Sequence, residues 1–123
     1  MKARVLYVGI DPTLLDPAIL PPGATHATLM DGIREVVAHL QANDYDAVWC
    51  PVDLGETAEA QVKGALEGAR FQCVVIGAGI RTGAPYFLLF ERLLNVVHAH
   101  APAAKICFNT KPGDTLEAVQ RWV

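Results

Sequence analysis

Phe71-Gln72-Cys73-Val74-Val75-Ile76-Gly77 is the stretch on which the fold turns. Its apolar residues follow one another without polar alternation. That is the pattern of a strand covered on both faces, as in a parallel sheet between two layers of helices. Working outward, residues 46–52 (DAVWCPV), 4–10 (RVLYVGI) and 104–109 (AKICFN) read the same way. Between these runs the period becomes helical. Leu29, Ile33, Val36, Val37 and Leu40 share one face, with Thr28 before them and Asp31 three residues on from it, in the spacing of a capping box. Ala58, Val62, Ala65, Leu66 and Ala69 form a second helix after Thr57. Pro85 suits the first turn of a third helix, which runs to about His98 and ends before Pro102. Leu116, Val119 and Val123 mark a last helix, with Asp114 and Glu117 placed to cap it.

The sum is β-α-β-α-β-α-β-α. Strand-helix-strand crossovers are right-handed, so the expected sheet has four parallel strands in the order 2-1-3-4. The architecture is a three-layer α/β domain over residues 1–123, of the flavodoxin-like or Rossmann-like kind. Residues 11–28, with Pro12, Pro17, Pro21 and Pro22, read as a long ordered loop.

Composition narrows the function classes. The chain has 123 residues, 52% hydrophobic and 19% charged, which suits one folded domain and not a disordered one. A formal net charge of −3, with no run of Lys or Arg, argues against nucleic-acid and membrane-surface partners. No signal-peptide pattern or membrane-length apolar run is present. Cys50, Cys73 and Cys107 are widely spaced without a Cys-x-x-Cys pair, the usage of reduced, buried thiols and a cytoplasmic protein. There is no zinc spacing, nucleophile elbow or Walker loop. His98 and His100 point to different helix faces, and His39 suits a helix C-terminus. No metal or cofactor is expected, and no residue is assigned a catalytic role.

In an open parallel sheet, ligands bind beyond the C-terminal strand ends where the strand order reverses. Here that crevice lies between the first and third strands. Gly9, Ile10 and Asp11 flank it on one side, and the turn Gly77-Ala78-Gly79-Ile80-Arg81-Thr82-Gly83 on the other. Pro51, Val52 and Asp53 follow the second strand, and Asn109, Thr110 and Lys111 the fourth. Glycines allow close backbone approach, and Arg81 offers a bidentate grip on phosphate or carboxylate. The plainer alternative is a tight turn with Arg81 in solvent. The spacing is not the dinucleotide fingerprint, because Thr82 stands where the third glycine belongs. Asp11 and Asp53 suit acid, base or metal-ligand roles, or the turn and capping chemistry that Asp performs routinely. Cys50 has no His near it in sequence to activate it.

Two resemblances accompany this reading. Residues 53–60 (DLGETAEA), 73–81 (CVVIGAGIR), 88–98 (LLFERLLNVVH) and 107–110 (CFNT) are similar to a family of short, functionally uncharacterised α/β proteins. The likeness runs over nearly the whole chain. It implies a Rossmann-like or flavodoxin-like fold and brings no activity with it. Lys111-Pro112 after the last strand also resembles the response-regulator receiver domain. The receiver's acidic pair falls near Gly9 and Ile10, leaving only Asp11. Pro51 stands at the phosphoacceptor position, and Gly77 or Ala78 replaces its Thr or Ser. That likeness implies a pseudo-receiver without phosphoryl chemistry. It adds a strand at residues 24–29, giving a five-stranded sheet in the order 2-1-3-4-5.

Two functions follow as expectations. One is binding of a small phosphate- or carboxylate-bearing metabolite, with Gly77, Gly79 and Arg81 on the anion and Asp11, Asp53, Thr82, Asn109 and Thr110 as polar partners. The other is a non-catalytic interaction module. For the latter, the 85–98 helix carries two apolar stripes. Phe87, Phe90, Leu94 and Val97 form one, and Leu89, Leu93 and Val96 the other, with Leu88 in addition. A sheet-covering helix needs about 100° of apolar surface. The excess predicts a homodimer through this helix, rimmed by Glu91, Arg92, Asn95 and His98.

Overall fold

The computed structural model of the chain describes residues 2–123. Four strands form one parallel sheet: β1 (Ala3–Ile10), β2 (Tyr45–Val52), β3 (Cys73–Ile76) and β4 (Lys105–Cys107). Their order is β2-β1-β3-β4, as the crossover rule requires. The register places Tyr7 opposite Trp49 on one side and Val75 on the other.

Strand parity sorts the core into two faces. Leu6, Val8, Cys50, Val52, Val74 and Ile76 pack under α2 (Ala58–Gly68) and α4 (Phe87–His100). Val5, Tyr7, Ala47, Cys73, Val75 and Cys107 face α1 (His26–Ala42) and α5 (Thr115–Gln120). Val5, Leu6 and Val8 are fully buried, as are all four β3 residues. This is the two-sided cover that the unbroken apolar runs demand. The three cysteines are buried free thiols. Cys73 and Cys107, on adjacent strands, have Sγ atoms 2.7 Å apart. Among the described residues, no helix is long and apolar enough to cross a membrane.

The structure corrects several boundaries. The first capping box is Thr25 with Thr28, not Thr28 with Asp31. Thr28 N–H donates to Thr25 Oγ1 at 3.1 Å, and Thr25 N–H donates to Thr28 Oγ1 at 2.8 Å. Asp31 instead pairs with Arg34. Because α1 begins at His26, residues 26–29 are helical, and the extra strand of a five-stranded receiver-like sheet is absent. The proline-rich loop is organised by two 3₁₀ turns, Pro12–Leu14 and Pro17–Ile19. Each begins with proline after an Asp cap, where the missing N–H costs nothing. His26 Nε2 then donates to Leu15 O at 2.8 Å, tying the loop to the start of α1.

Pro85 lies in a separate 3₁₀ turn, Ala84–Tyr86, and α4 proper starts at Phe87. Asp114 is the N-cap residue of α5 but does not cap it with its side chain. Its carboxylate accepts instead from the Thr110 and Lys111 N–H groups behind it.

Candidate functional site

The chain forms a crevice because β1 and β3 part at their C-terminal ends. Gly77 N–H donates to Val8 O at 2.9 Å and is the last tie between them. Beyond it β1 leans the other way, with Asp11 N–H donating to Val52 O of β2 at 2.9 Å. Past Gly77 the chain turns directly into α3 (Ala78–Arg81), a single helical turn where the sequence reads only a loop. The gap is a cavity of about 260 Å³ on the α1 side of the sheet.

Its floor is aromatic. The Tyr7 and Trp49 rings lie 5.2 Å apart, centroid to centroid, tilted by 58°. Gly9 makes this possible, since a Cβ there would come within 2.7 and 2.9 Å of Trp49 ring carbons. Gly77 is similarly confined, because a Cβ would stand 3.2 Å from Val8 O. Leu29 and Ile33 of α1 and Tyr86 after α3 close the sides. Burial pushes the Tyr7 phenol above its ordinary pKa, against a smaller downward pull from Asn109 and Thr115 beside it.

Asn109 holds this end of the sheet together. It is 2% exposed. Its Oδ1 accepts from Ala78 N–H at 3.0 Å and from Arg81 Nη2 at 3.3 Å, while Nδ2 donates to Thr115 Oγ1 at 2.9 Å. One side chain thus joins the end of β4 to both α3 and α5.

Arg81 is not the solvated arginine of a loose turn. Its Nε donates to Ile76 O at 2.9 Å, and its guanidinium stacks over Phe108 at 4.8 Å. With Nε on Ile76 O and one Nη2 hydrogen on Asn109, three of its five N–H donors, on Nη1 and Nη2, remain for an outside anion. Partial burial lowers its pKa, against an upward pull from the Asp114 charge.

The structure therefore divides the expected site residues. Gly77, Gly79 and Asn109 line the cavity. Arg81 borders it through Asn109 and does not form its wall. Asp11 and Asp53 perform turn chemistry, as the plainer reading holds. The Asp11 carboxylate accepts from Thr13 N–H and Oγ1. That of Asp53 accepts from Gly55 and Thr57 N–H, and the Thr57 hydroxyl bond holds it below the usual carboxylate pKa. Thr82 donates back to Ala78 O at the end of its own turn. Thr110 donates to Asp114, which lowers the Asp114 pKa.

Burial pushes the Cys50 thiol up to about 11, so it stays protonated at neutral pH and is a poor nucleophile. Among the described residues, no three His, Cys, Asp or Glu side chains gather as a metal site would need. The arrangement has room for a ligand, and among the described residues no Asp, Glu, Lys, His or Cys side chain lines it.

Sequence reasoning located the crevice and missed its walls: Tyr7, Trp49, Leu29, Ile33 and Tyr86. A signal existed for two of them. Tyr7 and Trp49 are the aromatic residues in otherwise aliphatic stretches, and Gly9 lies on the same face of β1 as Tyr7, two residues on. Comparison of the sequence with models of known protein families gives no match, nor does comparison with curated proteins.

Proposed function

We propose that this chain binds a small phosphate- or carboxylate-bearing metabolite at the crevice between β1 and β3. The body of the ligand enters the cavity. Its anionic group stays at the rim, over the exposed Gly79 backbone and the free guanidinium N–H groups of Arg81. One observation carries this reading: a preformed cavity opens where the strand order reverses, the usual ligand position in parallel α/β sheets. Asn109, shared between the cavity wall and Arg81, supports placing the charge next to it. The strand order supports a flavodoxin-like grouping, and three buried free thiols fit a reducing cytoplasm.

Thermal-shift titration with inorganic phosphate and a set of phosphorylated and carboxylate metabolites tests the reading. At least one compound raises the melting midpoint saturably. Arg81→Gln shrinks that rise when each protein is compared with its own ligand-free midpoint. No shift from any compound, or an equal shift in the variant, would overturn it.

A second reading rests on α4. Leu89, Leu93 and Val97 are its buried face, while Phe90 and Leu94 are half-buried against the same core. Phe87 and Leu88 are 64% and 59% exposed. These two residues favour a homodimeric, non-catalytic interaction module in which α4 meets its copy. The decisive pair is therefore Phe87→Glu with Leu88→Glu, since Phe90 and Leu94 also support the monomer. Light scattering at tens of micromolar gives a dimer mass for the parent and a monomer mass for the double variant. A monomeric parent ends this reading.

A further inference from the structure

We infer that the ligand of this crevice is an aromatic acid of one or two rings, with its uncharged ring inside the cavity and its acid group outside. This deepens the reading given above and rests on it. The argument starts from what the walls offer. Among the described residues, no Asp, Glu, Lys, Arg or His side chain lines the cavity. A charged group placed inside would lose its water and meet no opposite charge, a strongly unfavourable exchange.

Two of the polar side chains in the wall are already engaged. Asn109 is bonded through both ends of its amide, and Thr28 Oγ1 donates to Thr25 O while accepting from Thr25 N–H. The other polar side-chain groups of the wall are the Tyr7 and Tyr86 hydroxyls and the Trp49 N–H, each carried on an aromatic ring, so a ligand polar on all sides finds few partners inside. What the cavity does offer is apolar and π surface: the tilted Tyr7–Trp49 pair beneath, with Leu29 and Ile33 beside it. Aromatic rings prefer such offset or edge-on contacts.

The size fits the same class. A dry cavity of about 150 Å³ takes a benzene, and drug-sized ligands occupy about 300 Å³ or more. A volume of about 260 Å³ lies between them. The aromatic floor also depends on Gly9, where any side chain would meet the indole. At the rim, Gly79 is exposed and a Cβ there would find open space, so the backbone is open to an outside carboxylate.

Trp49 reports directly on the site. The other tryptophan, Trp122, is 55% exposed at the C-terminal end and can be replaced. In a Trp122→Phe protein, tryptophan fluorescence is titrated with 2-naphthoate, neutral 2-naphthol, acetate and inorganic phosphate. Saturable quenching by 2-naphthoate is expected, at least tenfold tighter than with 2-naphthol, and none with acetate at the same concentrations. Gly32→Phe locates the binding. Gly32 lines the cavity from α1, a Cβ there meets nothing within 4 Å, and replacing a helical glycine favours the helix. This variant keeps its fold by circular dichroism and loses at least tenfold in 2-naphthoate affinity.

Each other outcome removes a stated part. Equal binding of naphthol and naphthoate leaves the ring and overturns the anion. Phosphate or acetate binding without either naphthalene compound leaves the anion and overturns the ring. Binding unchanged by Gly32→Phe puts the ligand elsewhere and overturns both. So does the absence of any binding at millimolar ligand.

Discussion

The two ends of the sheet are built from different chemistry. At the N-terminal edge lies the larger depression, about 690 Å³, with Lys2, Arg4, Asp46 and Arg70 on its walls. At the C-terminal edge lies the smaller one, about 260 Å³, without a charged side chain among its described walls. Volume alone would nominate the first. Yet Arg4 is paired with Asp46 at 3.0 Å, both are nearly half exposed, and long solvated side chains fix little geometry there. At the other end, an aromatic pair seated over a glycine and a buried asparagine hold the walls in place. The difference teaches that size and charge say little about how firmly walls are held: solvated ion-pair side chains line one end, packed rings and a buried amide the other.

That contrast can be broken by mutation. The largest effect is expected from Asn109→Ala. It leaves the Ala78 N–H without its partner, takes from the Thr115 hydroxyl the bond it accepts while that to Pro112 O stays, and removes a brace from Arg81, costing about 2 to 4 kcal/mol. Urea denaturation measures it. A loss no larger than that of a surface ion pair would show that the C-terminal edge is no more rigid than the other end.

Gly9→Ala comes next. The new methyl would lie under 3 Å from the Trp49 ring, so the indole must move, at about 1 to 3 kcal/mol. Near-ultraviolet circular dichroism should change with the stability, because the Tyr7–Trp49 geometry changes. An unaltered spectrum would mean that the floor is not seated as described.

Asp46→Asn probes the opposite end. Removing an exposed partner of Arg4 should cost under about 1 kcal/mol and less at high salt. A larger, salt-independent loss would erase the contrast.

The smallest effect separates charge from ligand binding at the C-terminal edge itself. Asp114 has its pKa lowered from 3.8, first by the Thr110 hydroxyl. A depressed folded-state pKa means that its contribution is present above about 4 and is lost as pH falls through the lower folded value. The gap between the parent and Asp114→Asn should therefore narrow below about pH 4 in urea midpoints. A gap that is constant down to pH 3 would refute this role for the carboxylate.

The fold was readable because its signals are local. The unbroken run at Cys73–Ile76 and the helical period around Leu29 to Leu40 each lie within one element, and crossover handedness supplies the strand order. The crevice followed from that order without any motif. The character of the site was not readable, because it depends on register between distant segments. Tyr7 meets Trp49 only when β1 and β2 pair, some forty residues apart. Arg81 suggests an anion grip in isolation. Its direction is set by Ile76 O, Asn109 and Phe108, which meet it only after the sheet has formed. The one-turn α3 is too short to show a period at all.

A four-stranded parallel sheet leaves two open rims of backbone, at β2 and at β4. Such rims are templates on which another chain can add as a further strand, the first step toward aggregation. This chain blunts both. β4 is only three residues long, so an incoming strand gains few bonds there. β2 has eight residues, but Pro51 near its end offers no N–H to a newcomer, and it is in an edge strand that a proline is tolerated. Pro51 therefore acts on the sheet itself, by removing one donor from the open rim of β2. It helps keep the sheet closed to strangers.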